Sequence, residues 1–189
     1  MPKRSILFLL LLILFVSSPA GAGVALVYSS HDVDHFSIRI PDGWKVNVGI
    51  EPDASTRTDQ GWILPRIVTA MPDDVIPLWF GIWVPPDVTT IKDAKPYMDS
   101  LSPELLTDVE VRKKTPGQMN NMESLHVSGI GYKGDELMDF AAVFVQLRPK
   151  TLVIAIYIGP HEATIRYGQD LKEMINSLEP VPTAKEERP

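Results

Sequence analysis

The chain of 189 residues contains no cysteine. That one absence excludes disulfide staples, thiolate-rich zinc sites, a cysteine nucleophile and a lipidated cysteine at a processing point. Whatever compartment the protein reaches, its core alone must hold it. Basic charge is also scarce: 18 Lys and Arg stand against 24 Asp and Glu, a formal −6. General nucleic-acid binding needs a basic footprint, and Arg112, Lys113 and Lys114 form only a short cluster, read as the wet end of a hairpin. The G-x-S-x-G elbow, H-E-x-x-H and the Walker phosphate loop are all missing. Ser128-Gly129-Ile130-Gly131 is a glycine-containing strand end, and no cofactor is expected. No apolar run is long enough to span a bilayer. The longest uncharged one, residues 6–16, covers only about 16 Å as a helix against roughly 30 Å of hydrocarbon.

What that run does suit is export. Lys3 and Arg4 precede it, and Ser17-Ser18-Pro19-Ala20-Gly21-Ala22 follows, with Ala20-Gly21-Ala22 fitting the A-x-A processing pattern. Residues 1–22 therefore read as a cleavable signal peptide. The product would lie in the periplasm of a two-membrane bacterium, otherwise outside the cell, with no stable membrane anchor after cleavage. It would keep 167 residues and a formal charge of −8. That length suits one domain, assigned to residues 23–178, with residues 179–189 as a disordered tail.

The pattern after Gly23 is strands, a helix, strands and a final helix. Residues 24–28 can open a sheet. Phe36, Ile38 and Ile40 alternate with polar neighbours, as do Trp44, Val46 and Val48. Pro41-Asp42-Gly43 between them predicts an antiparallel hairpin. Residues 51–60 read as a surface loop, and residues 63–71 and 76–84 as strands. Ile91, Ala94, Lys95, Met98 and Leu101 space like one helical face, with Pro96 inside it and Ser102-Pro103-Glu104 resembling a fresh start. Val109 and Val111 begin a strand that a Pro116-Gly117 turn should close. Residues 122–130 and 137–148 form the next pair, and residues 151–158, apolar and β-branched, belong near the sheet centre. Tyr167, Leu171, Met174, Ile175 and Leu178 make the clearest helical stripe, which should pack on a sheet face.

This order resembles the PsbP-like family, the photosystem II extrinsic subunit and its secreted bacterial relatives. The carriers are Phe36-Ser37-Ile38-Arg39-Ile40-Pro41-Asp42-Gly43-Trp44, the central hairpin strands and the closing Met174-Ile175-Asn176-Ser177-Leu178. The resemblance implies an α+β fold, an α/β/α sandwich with a central antiparallel sheet and flanking helices. It implies no common enzyme activity, and the photosynthetic members' functional residues do not map onto this chain one by one. Physically, Gly43 admits the turn and Trp44 can bury its ring beside Phe36 and Ile38, provided its indole N–H finds a partner.

Three places could carry chemistry. His31, Asp32, Asp34 and His35 have metal-ligand side chains, but an extended chain sends the histidines and the aspartates to opposite faces, so a polar loop is the simpler reading. Ser124 and His126 can share a strand face, and His161 follows Pro160, but a serine hydrolase also needs an orienter and oxyanion donors. Trp79, Gly81 and Trp83 share the other notable face, where Gly81 leaves a gap between two indoles. Core packing against a helix or a ligand pocket would both use it. The expectation is an exported, non-enzymatic binding or accessory protein with an unknown protein or small-ligand partner. Envelope assembly or maintenance through protein contacts is the alternative, and a small hydrolase is a remote third. Intact-mass measurement of the exported product should find Gly23 at its N terminus; a full-length chain held in the membrane would contradict this processing.

Overall fold

Leu152, Val153, Ile154, Ala155, Ile156 and Ile158 are all buried, and they fall on both faces of one strand. A strand with apolar side chains on alternate sides cannot lie at a surface, so it needs pairing on both edges and cover on both faces. In the computed structural model, which describes residues 23–50 and 65–182, this strand is the fourth of seven. The segments expected above to be a signal peptide (1–22) and a surface loop (51–60), the first two residues of the strand expected at 63–71, and residues 183–189 of the expected tail lie outside the described part.

The elements are β1 (Val24–Ser30), β2 (Val33–Ile40), β3 (Trp44–Val48), β4 (Val68–Pro72), β5 (Trp79–Trp83), α1 (Ala94–Leu105) and β6 (Thr107–Met119). There follow β7 (Met122–Lys133), β8 (Glu136–Arg148), β9 (Thr151–Gly159), α2 (His161–Arg166), α3 (Gly168–Asn176) and β10 (Glu179–Pro180). The large sheet has the order β3-β4-β5-β9-β8-β7-β6, and β1-β2-β10 form a smaller one; every pairing is antiparallel. The fold is thus α+β, with a central antiparallel sheet and helical layers. Helix α1 covers the face bearing Trp83, Ile156 and Ile158, while α2, α3 and the small sheet cover the other.

The hairpin expected across Pro41-Asp42-Gly43 does not form. Strand β2 pairs with β1 and β10, and β3 pairs with β4, so the turn passes the chain from one sheet to the other. The pairing partners lie elsewhere: His31 and Asp32, both at positive φ, make a two-residue turn that folds β2 back on β1. Arg66 joins the sheets by donating from Nε to the Gly49 carbonyl and from Nη1 to that of Ser29, both at 3.0 Å. The indole N–H of Trp44 finds its partner in Asp170, at 3.1 Å, and its ring meets Tyr167 edge-on at 5.7 Å.

Two prolines behave differently from expectation. Pro116 does not end β6, because β6 is an edge strand where a missing N–H costs no ladder bond. The turn comes at Asn120-Asn121, both at positive φ, the type I′ signature. Pro103 does not restart a helix, since α1 runs unbroken to Leu105. Pro96 sits in the first turn of α1, where amides have no intrahelical partner in any case. Among the described side chains of α1, Ala94 and Tyr97 are buried, the second absent from the expected face, while Leu101 of that face lies outside the described side chains.

The closing stripe packs as expected: Tyr167, Leu171, Met174, Ile175 and Leu178 are all buried. The chain beyond it is not free at once. Glu179 and Pro180 pair with β2, and the Val181 amide donates to the His35 carbonyl at 3.1 Å. Asn120 Nδ2 donates to the carbonyls of Asn176 and Leu178, so the tip of the β6–β7 hairpin caps the end of α3. Leu171 is 3% exposed and Lys172 faces water. Leu171→Ala should cost about 2–5 kcal/mol and Lys172→Ala much less, read by reversible denaturant unfolding; equal, small losses would show that the stripe is not core.

Candidate functional site

Each expected site residue has a definite place. Trp83 is 1% exposed, and its indole N–H donates to the Tyr97 hydroxyl at 3.0 Å. Burial pushes the Tyr97 phenol far above its ordinary range, so it stays protonated. Trp79 is half-buried, and its ring lies over Gly81: a Cβ on Gly81 would sit 2.3 Å from the Trp79 ring. The space that Gly81 opens between the two indoles is therefore filled by Trp79 itself. Trp83 is part of the packing between β5 and α1, and Trp79 packs against the core from a half-buried position.

His31 and Asp32 form the turn between β1 and β2, and Asp34 and His35 lie in β2 itself. Ser30 Oγ lies 3.0 Å from His31 Nδ1, and Asp34 accepts from Ser29 Oγ at 2.5 Å. His35 is half-buried beside Tyr28, with ring centroids 6.0 Å apart. Burial first of all lowers its pKa, because the charged imidazolium loses water. Among the described residues, no group of three or more histidines and carboxylates gathers as metal ligands would.

Ser124 and His126 share a face of β7 but not an environment. Ser124 is 2% exposed and its Oγ has no hydrogen-bond partner, whereas His126 is exposed. His161 pairs instead with Asp139, Nδ1 to Oδ2 at 2.6 Å, and Thr164 donates to the same carboxylate oxygen at 3.1 Å. That pair is an oriented imidazole without Ser124 beside it, since Ser124 lies six residues along β7 from Ile130, the residue opposite Asp139.

A groove lies on the same face, at the end of the sheet where β6, β7, β8 and β9 meet. It is open to solvent and has a volume of about 450 Å³. No helix residue lines it. Its floor is made of small side chains: Gly117 opposite Ser124, and Ser128 in line with Ala141 and Tyr157 across three strands. Lys113, Thr115, His126, Ser128 and Tyr157 turn polar groups into it. Burial, with Asp139 adding to it, raises the Tyr157 pKa, so its hydroxyl remains a donor. Reading the sequence for catalytic motifs passes over this site, because its residues come from four strands and match no motif. The only local signal is the run of small and polar residues at alternate positions 124, 126 and 128. A second, apolar cavity of about 120 Å³ lies beneath α1, lined by Met98, Leu105, Phe140, Phe144, Ile156 and Ile158 among others.

Solved structures share the fold. The solution structure of cyanobacterial PsbP from Synechocystis sp. PCC 6803 superposes with a TM-score of 0.53 at 13% identity, over 89% of this chain and 99% of that one. Looser likenesses include LpqN of Mycobacterium tuberculosis, described as involved in cell envelope biogenesis, with a TM-score of 0.49 at 11% identity over 87% and 88% of the two chains. The Ran-binding protein Mog1p of Saccharomyces cerevisiae follows at 0.42 and 11%, over 84% and 96%. No protein-family model matches the chain, and no curated protein sequence does. At these identities the PsbP resemblance is a likeness of fold and does not show kinship with PsbP in particular. Gly81→Ala should force the Trp79 ring outward, costing about 1–3 kcal/mol and red-shifting tryptophan emission; unchanged stability and emission would mean that the gap is open.

Proposed function

We propose that this protein is an exported, non-enzymatic binding or accessory module, and that the four-strand groove is where it meets its ligand. The observation that carries this reading is the set of side chains in the groove. Lys113, Thr115, His126, Ser128 and Tyr157 converge on it, yet none of them makes a side-chain hydrogen bond among the described residues. Several polar groups elsewhere in this structure are tied down: Trp44 to Asp170, Tyr167 to Asp74, Asn120 to the end of α3. Donors left free in a concave site are groups that a ligand can satisfy.

A catalytic reading finds less support. Of the two serines that flank His126 on its strand face, Ser124 is closed off in the interior and Ser128 makes no hydrogen bond to the imidazole among the described residues. The hydroxyl beside the Asp139–His161 pair, that of Thr164, is held by the carboxylate and by the His161 carbonyl. Protein–protein assembly in the cell envelope remains the second reading, favoured by exposed apolar side chains at Tyr132 and Leu137, which face each other across β7 and β8. Thermal-shift screening of the exported protein against polar small molecules should give a stabilising ligand whose effect is lost in His126→Ala. Turnover of ester, peptide or glycoside substrates, abolished by His126→Ala or His161→Ala, would overturn the non-enzymatic reading. A protein partner captured equally by wild type and by His126→Ala, but not by Leu137→Asp, would move the function to the apolar patch.

A further inference from the structure

The groove also has a definite electrostatic character. Its lining holds one permanent positive charge, Lys113, and no carboxylate. Around that cation stand three hydroxyls and an imidazole, on Thr115, Ser128, Tyr157 and His126. Lysine can only donate, whereas hydroxyls donate and accept, so the set suits a ligand with one anionic group and several hydroxyls. The rest of the molecule makes this local sign meaningful. With a net charge of −6 over the whole chain, its general field repels anions, and a site that admits one needs its own cation.

Size and shape narrow the class further. About 450 Å³ exceeds what a few waters fill and falls within the range of small-molecule sites, roughly 300–1,000 Å³. The floor is low because Gly117, Ser128 and Ala141 are small, and Tyr157 supplies an aromatic wall. Under the floor, Ser124 Oγ lies 3.5 Å from where a Gly117 Cβ would be and has no partner of its own. A buried hydroxyl without a hydrogen bond is costly, and it is one more polar atom on this face that the protein does not satisfy. A single fixed cation balances a monoanion better than a phosphate dianion.

We propose that the groove binds a small hydroxyl-bearing carboxylate, a sugar acid in chemical class, with Lys113 on the carboxylate and the Thr115, Ser128 and Tyr157 hydroxyls on the ligand's own. This rests on the groove being the binding site, and the test separates the two claims. The full exported chain is titrated with sodium galacturonate, with galactose as its uncharged counterpart and with inorganic phosphate, by calorimetry and by amide chemical shifts. Galacturonate should bind saturably and shift amides of β6, β7 and β9. Lys113→Gln should weaken it at least tenfold, and Tyr157→Phe several-fold, with both variants folded as judged by their amide spectra. Galactose bound as tightly as galacturonate, or phosphate bound more tightly, would overturn the carboxylate assignment and leave the groove as the binding site. No saturation with any of the three at millimolar concentration overturns it as well. Galacturonate binding that is indifferent to Lys113→Gln and Tyr157→Phe would place the ligand elsewhere and overturn both claims.

Discussion

Strand β9 sets the terms for the rest of the molecule. It is apolar on both faces, so it cannot be covered by one layer, and its neighbours must supply two. Helix α1 meets one face through Tyr97, whose hydroxyl receives the Trp83 indole. The other face is closed by α3 and by the small sheet, where Tyr28 stacks on Phe36 with centroids 4.8 Å apart. Each covering element is then tied back: Arg66 links β1 to the end of β3, Asp74 holds Tyr167 and Arg166, and Asn120 caps α3. Without cysteine, these ties and the core they enclose carry the stability of the described fold.

The cover on the second face runs out before the sheet does. Towards β7 and β6 the buried aliphatics give way to the buried hydroxyl of Ser124 and then to His126 and Ser128, side chains that reach water. Strand β6 is exposed along nearly all its length, which would invite edge-to-edge pairing. It is guarded by two register irregularities, by Pro116 and by the charges of Arg112, Lys113 and Lys114. The same features that keep this edge from pairing leave a concave, donor-lined face beside it. The groove is thus where the demand for burial ends and the sheet still continues.

The sequence was most legible where the pattern is local. The β9 run and the closing stripe from Tyr167 to Leu178 read correctly because each is decided by neighbours in the chain. It misled where pairing is non-local. Pro41-Asp42-Gly43 has good turn chemistry, but β2 had stronger partners in β1 and β10, so the turn became a crossing between sheets. Pro116-Gly117 likewise looks like a turn until the strand is known to be an edge. The tryptophan face was identified as a face, but not that the Trp79 ring fills the gap over Gly81. The groove was out of reach for the same reason: Thr115, His126, Ser128 and Tyr157 come together only through the register of β6, β7, β8 and β9.

If β9 is the constraint on which both layers depend, its amides cannot open without dismantling the core. Native-state hydrogen exchange measures this directly, residue by residue. The amides of Val153, Ala155 and Ile156 should exchange only through global unfolding, with the free energy that denaturant melting gives. Those near the β6 edge and in β10 should open at far lower cost. Exchange from β9 at a free energy well below the global value, with the slowest amides in β6 or β3 instead, would contradict the account.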